Sequence, residues 1–102
     1  MEKKFFVKIH KSYRNVVAIC DAELIGKKFE EEKRQLEVRD NFYRGEELNL
    51  DKTVEVMKIQ KGEDATFNIV GKHSVNAAMS IGLIDKSNVS RVNGVPFVLI
   101  LF

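Results

Sequence analysis

Hydrophobic and polar positions alternate in the first strand-like segment of the chain. Within Lys4–His10, apolar Phe5, Val7 and Ile9 recur at every second position, the period of a half-buried β-strand. After a short polar break, residues 15–20 form a second run that is rich in β-branched side chains. The two segments are therefore predicted to pair as an N-terminal β-hairpin.

Two longer helices are predicted further along the chain. The first spans about 52–61, with Asp51 as its N-cap and Gly62 at its end. The second spans about 72–81 and follows a predicted strand, Phe67–Val70. A single helical turn is also predicted directly after the first hairpin, with Asp21 placed to cap it.

The segment between these elements is ambiguous. It is rich in helix formers, but Phe29, Leu36 and Val38 make a poor helical stripe. Two short strands at about 27–31 and 34–39 would place Leu36 and Val38 on one face, so the strands are favoured. The following residues, 42–45, contain two aromatics and a glycine and are predicted to form a turn.

The C-terminal segment carries the strongest hairpin signal. Asn93 and Gly94 stand between two β-rich runs, and both are residue types that tolerate the positive φ of a tight hairpin turn. Pro96 cannot donate a ladder hydrogen bond, which predicts that the start of its strand lies at an edge or a bulge. Residues 97–102 are wholly apolar, and burial on both faces is predicted for them.

These elements predict one fold class for residues 1–102: a single compact α/β domain of the α+β type with a mixed sheet. The 102 residues are 44% hydrophobic and 31% charged, a composition that supports one core without disulfides or structural metals. The predicted core consists of Phe5, Val7, Ile9, Val17, Ile19, Leu36, Val38, Ile69, Val75, Ala78, Met79, Val98 and Ile100.

Charge and cysteine content narrow the functional classes. The net charge is +2, so the chain as a whole is not an obvious polyanion binder. Residues 1–14 and 72–102 are basic and the segment between them is acidic, so a basic face would form if the two ends met in the fold. One cysteine and the lack of a signal-peptide or membrane-spanning segment favour a cytoplasmic location.

The glycine between the strand 67–70 and the second helix has two readings. Gly71, Lys72, His73 and Ser74 could bind an anion at the helix N-terminus. Alternatively, Gly71 serves only the backbone of a tight strand-to-helix corner, which is the favoured interpretation.

Four stretches of the sequence resemble one known family. "AICDAELIGKKF", "LEVRDNFYRGE", "FNIVGKHSVNAAMSIGLI" and "VSRVNGVPF" are together similar to the small archaeal family called domain of unknown function 424. The resemblance spans nearly the whole chain and implies a compact cytosolic α/β domain with no established activity. Phe97 stands where the family is expected to carry histidine, and Glu31–Arg34 replaces a loop that is expected to contain glycine.

Three functional classes follow, in order of preference. The first is a non-enzymatic module that binds RNA or a ribonucleoprotein. Lysine and arginine side chains attract phosphates, and an aromatic side chain can stack on a nucleobase. Its candidate residues are Lys4, Lys8, Lys11, Tyr13 and Arg14. The second is a protein adaptor or homo-oligomer that uses an exposed edge strand. The third is a small enzyme that uses Cys20 with His10 or His73 as its base, of which the first hairpin could bring His10 near. The chain contains two histidines and one cysteine, far apart, so no metal site and no cofactor are predicted.

Overall fold

The computed structural model describes residues 3–101. In this range the strands are β1 Phe5–His10, β2 Val16–Asp21, β3 Lys28–Glu31, β4 Arg34–Glu37, β5 Glu46–Leu48, β6 Thr66–Val70, β7 Ser90–Val92 and β8 Val95–Ile100. The helices are α1 Asp40–Tyr43, α2 Leu50–Gly62 and α3 Lys72–Ser80, with 3₁₀ turns at Ala22–Leu24 and Lys86–Asn88. None of the helices within residues 3–101 has the length and apolar character needed to cross a membrane.

A mixed sheet of six strands organises the domain. The strand order is β5-β1-β2-β6-β8-β7, and β3 pairs with β4 in a separate hairpin. Neighbouring strands are antiparallel except for β2 and β6, which run parallel. The predicted fold class, the N-terminal hairpin and the Asn-Gly hairpin are therefore confirmed, with φ values of 49° at Asn93 and 80° at Gly94.

Side chains that alternate along the strands build a core on each face of the sheet. On one face, α2 and α3 cover Val17, Ile19, Phe67 and Ile69, all of which are fully buried. On the other face, α1 and the β3–β4 hairpin cover a smaller cluster. Most of the predicted core is buried; the partly buried exceptions are Ile9, Leu36, Met79 and Ile100. Fully burying one side chain of this kind stabilises the fold by about 1.5–3 kcal/mol.

The N-cap of α2 differs from the prediction. The cap is Asn49, whose side-chain oxygen accepts a hydrogen bond from the backbone N–H of Lys52 at 2.9 Å. The prediction that Asp51 caps this helix is wrong, because Asp51 already lies in the first turn. Its carboxylate there is placed to interact with the positive end of the helix dipole.

The position of Pro96 agrees with the prediction for the start of its strand. β8 as a whole lies between β6 and β7, but its ladder with β6 begins at Phe97, so Pro96 has a ladder partner only in β7. Gly71 N–H donates to the Pro96 carbonyl at 2.9 Å, and an antiparallel pair of this kind would normally return a second bond from residue 96 to the Gly71 carbonyl. That carbonyl instead accepts from Val75 N–H, also at 2.9 Å. Proline is therefore tolerated at this position, because the Gly71 carbonyl does not need a backbone N–H from residue 96 as its donor.

Burial of the apolar C-terminal segment on both faces is wrong as well. Leu99 is 56% exposed and Leu101 is 69% exposed, while Phe102 lies outside the described residues. The reason is that the second cluster extends to Phe97 but not to these leucines. The small α1 and the β3–β4 hairpin cover only part of their face of the sheet.

Candidate site at the carboxyl ends of the parallel strands

The parallel pairing of β2 and β6 brings two distant residues together. Cys20 lies opposite Val70 in the register, so the residues that follow them, Asp21 and Gly71, meet at the same edge of the sheet. Gly71 has φ 107° and ψ 148°, a conformation that is close to glycine-specific. A Cβ at this position would lie 2.6 Å from either carboxylate oxygen of Asp21. Backbone conformation and close approach therefore both require glycine here.

Asp21 occupies the N-terminus of α3. Its Oδ1 accepts from the backbone N–H of Ser74 at 2.8 Å and from the Ser74 hydroxyl at 2.7 Å. Its Oδ2 accepts from His73 N–H at 3.2 Å. The carboxylate thus provides the cap that glycine cannot, and it places a negative charge at the positive end of the helix dipole.

This arrangement answers both sequence interpretations of the corner. Asp21 is the N-cap residue of the 3₁₀ turn Ala22–Leu24, as predicted, but its side chain makes no capping hydrogen bond there; its carboxylate caps α3 instead. For Gly71, Lys72, His73 and Ser74, two of the backbone donors that an external anion would use already bind Asp21. An anion at this corner would have to displace the protein's own carboxylate.

Glu23 and His73 stand beside the capping carboxylate. One potential ligand atom from each of Asp21, Glu23 and His73 lies within 4.8 Å of the other two. Glu23 is exposed, His73 is partly buried and Asp21 is 3% exposed. No local sequence motif signals this cluster, because the contact between Asp21 and His73 joins positions 52 residues apart.

A cleft of about 730 Å³ opens next to His73, between α2, α3 and the start of β1. Its floor is apolar, and its rim carries both charges, with Lys3 and Lys58 among the bases and Asp51 and Glu55 among the acids. It is lined by Lys3, Phe5, Leu50, Asp51, Val54, Glu55, Lys58, His73, Asn76, Ala77 and Ser80. A concave apolar surface with a few polar groups is typical of a ligand site.

The predicted RNA-binding residues are spread along β1. The carbonyl of Lys4 accepts from Ala22 N–H at 3.0 Å, near the α3 corner. Lys8 Nζ donates to the Asn41 carbonyl at 2.7 Å. Lys11 lies beyond the other end of the strand, about 23 Å from Lys4 for an extended chain. The structure therefore does not bring the predicted lysines together at one site.

The β1–β2 loop, residues 11–14, keeps three of these residues together. The side chain of Tyr13 is 104% exposed, as in a fully extended peptide. Tyr13 and Arg14 line a hollow of about 410 Å³ with Asn15, Glu63 and Asp64. The loop thus presents an exposed aromatic ring, and Arg14 shares its hollow with two carboxylates that follow α2.

Cys20 and His10 are not brought together. Cys20 lies opposite Phe6 in the first hairpin, whereas His10 lies opposite Val16, and His10 Nε2 is 2.9 Å from the Phe42 carbonyl. Cys20 is fully buried. Burial raises the pKa of its thiol to about 12, with a smaller contribution from the charge of Asp21. A thiol of this kind is not a nucleophile at neutral pH.

Comparisons with known proteins agree with this fold. A structure described as an uncharacterized conserved protein from Methanopyrus kandleri superposes with a TM-score of 0.84 at 22% identity, over 95% of this chain and 90% of that chain. A search of curated proteins gave no match. The family model described as "Protein of unknown function (DUF424)" matches residues 10–101. Because this match covers most of the chain, the chain belongs to the DUF424 family.

Proposed function

We propose that this chain is a cytoplasmic, non-enzymatic binding module that contacts RNA or a ribonucleoprotein through its β1–β2 loop. The observation that carries the proposal is the complete exposure of the Tyr13 side chain between Lys11 and Arg14. An aromatic ring held in water has its full face available for stacking, and stacking on an unpaired base contributes about 1–3 kcal/mol. Basic side chains next to the ring attract the phosphates that flank a stacked nucleobase.

The charges around the loop suggest a path for the nucleic acid. Glu63 and Asp64 line the same hollow as Tyr13 and Arg14 and would repel phosphates. A single strand would therefore run past Lys11, on the side of the ring away from these carboxylates. Lys4 and Lys8, which the sequence grouped with the loop, are left outside this contact because of their positions along β1.

The binding test is fluorescence anisotropy with a labelled single-stranded RNA of mixed sequence. Tyr13→Ala should raise the dissociation constant by about 5- to 150-fold, which corresponds to losing about 1–3 kcal/mol of stacking. Tyr13→Phe should leave the dissociation constant unchanged. Lys11→Glu should also weaken binding and flatten the slope of log K against log salt by about 0.7. Lys86→Glu, an exposed residue in the second 3₁₀ turn, is the charge-matched control.

The acidic side of the hollow gives a test in the opposite direction. Removing the charge of Glu63 or Asp64, as in Asp64→Asn, should tighten RNA binding. The proposal fails if Tyr13→Ala and Lys11→Glu bind RNA as the unchanged protein does. It also fails if Lys86→Glu weakens binding as much as Lys11→Glu does.

A protein adaptor is the second candidate, and its contact surface differs from the predicted one. The strand marked by Pro96 is interior, and the edge strand β5 carries Glu46 and Glu47, charges that discourage strand addition. The observation that favours an adaptor is instead the pair of exposed leucines, Leu99 and Leu101. A concentration-dependent mass in light scattering that Leu99→Ser abolishes would support self-association through these leucines, and a constant monomer mass would oppose it.

A further inference from the structure

We propose that Asp21, Glu23 and His73 bind one divalent transition-metal ion at the edge of the α2–α3 cleft. The three side chains come from different elements: the end of β2, the 3₁₀ turn that follows it and the first turn of α3. They provide one imidazole nitrogen and two carboxylates. This site lies at the opposite end of β2 from the β1–β2 loop, so it is independent of the proposed RNA contact.

The geometry is close to that of a metal site but not yet closed. Ligand atoms at about 2.0–2.2 Å from a metal lie roughly 3–3.5 Å from one another, while here they lie within 4.8 Å. The group must therefore contract by up to about 1.5 Å to hold an ion at the distances such metals adopt. Glu23 is exposed on a short turn, so its side chain can make this movement without disturbing the core.

The carboxylate of Asp21 is held in place by three hydrogen bonds. Ser74 directs two hydrogen bonds to Oδ1, while Oδ2 receives one bond, of 3.2 Å, from His73 N–H. A carboxylate oxygen accepts more than one such contact, so Oδ2 keeps a lone pair for a metal. The bonds from Ser74 then act as outer-sphere contacts that fix the ligand in place.

Charge and donor type select the class of ion. Two carboxylates offset the charge of one divalent cation. Mixed nitrogen and oxygen donors suit Zn²⁺, Mn²⁺ or Fe²⁺, whereas Mg²⁺ and Ca²⁺ prefer oxygen donors alone. Three protein ligands leave coordination positions for water or for a group bound in the cleft, where His73 is one of the lining residues.

The test is calorimetric titration of tag-free, chelator-treated protein with Zn²⁺ and with Mn²⁺. We expect one ion per chain and tighter binding of both ions than of Mg²⁺. His73→Ala and Glu23→Gln should each raise the dissociation constant at least about tenfold. The matched controls are His10→Ala, which removes the second histidine, and Glu63→Gln, which removes an exposed carboxylate elsewhere; both should bind as the unchanged protein does.

A second measurement locates the ion. Paramagnetic Mn²⁺ should broaden the backbone NMR signals of His73, Ser74 and Ala22 before those of the β1–β2 loop. The proposal is overturned if neither ion binds below about 1 mM, a free energy of only about −4 kcal/mol. It is also overturned if His73→Ala binds normally, if His10→Ala abolishes binding, or if the broadening centres on another part of the chain.

Discussion

Replacing Gly71 by alanine tests the central contact of the corner. The substitution forces an L-residue into a conformation with φ 107°, which costs about 1–3 kcal/mol. The new Cβ would also lie 2.6 Å from both carboxylate oxygens of Asp21, so the carboxylate must move away from Ser74 and His73. Losing hydrogen bonds of a charged group costs about 1.5–3 kcal/mol more. We therefore expect Gly71→Ala to lower the free energy of unfolding by about 2.5–6 kcal/mol.

Gly82→Ala is the matched control for the backbone term. Gly82 also has a positive φ, 74°, but a Cβ there would meet no atom of residues 3–101 within 4 Å. Its substitution should cost about 1–2 kcal/mol. The difference between the two variants reports the contact with Asp21 together with the difference in backbone strain between the two glycine positions, and urea unfolding followed by circular dichroism measures both.

A double mutant separates the two terms at position 71. In an Asp21→Ala background, the Cβ no longer meets a carboxylate, so Gly71→Ala should cost only the backbone strain of about 1–3 kcal/mol. The two substitutions should therefore be non-additive, with a coupling of at least about 1 kcal/mol. Additive costs, or a Gly71→Ala variant no less stable than Gly82→Ala, would refute the reasoning.

Two further outcomes are expected. Burial is the main cause that raises the pKa of Cys20 to about 12, and it likewise raises the pKa of Tyr43 to about 12. As the pH rises, the unfolded chain therefore loses these protons at a lower pH than the folded protein does. The free energy of unfolding should stay level up to about pH 9 and fall as the pH rises towards 12. Urea titrations should show that this fall begins at a higher pH in Cys20→Ala, and rapid thiol labelling of the native protein would contradict the burial of Cys20. Asn49→Ala should cost about 1 kcal/mol through loss of the α2 cap, whereas Asp51→Ala should cost about 0.5 kcal/mol at most, and the reverse order in thermal unfolding would restore Asp51 as the cap.

Patterns local in sequence predicted most of the elements. The alternation around Phe5–Ile9 and the Asn93-Gly94 turn each act over a few residues, so neither depends on the rest of the fold. The favoured strands at 27–31 and 34–39 correspond to β3 and β4. The cap of α2 was missed because Asn49 and Asp51 are both good capping residues, and only the backbone conformation distinguishes them.

The candidate site could not be predicted in the same way. It depends on β2 pairing in parallel with β6, and no local sequence pattern identifies two strands so far apart in the chain as neighbours. Asp21 was assigned to the turn that follows it because capping is usually local. Its actual partners, His73 and Ser74, are 52 and 53 positions away. The exposure of Leu99 depends likewise on how far α1 and its neighbouring hairpin extend, which composition does not specify.

The remote cap of α3 has a consequence for the order of folding. A helix of nine residues is shorter than the roughly 12–15 residues that even favourable sequences need to be helical alone, and the Gly71 N-cap offers it no side-chain acceptor. The acceptor arrives only when the ends of β2 and β6 are side by side, after closure of a loop of about fifty residues. We therefore expect the formation of α3 to be coupled to the parallel strand pairing and to occur at a late, cooperative stage of folding.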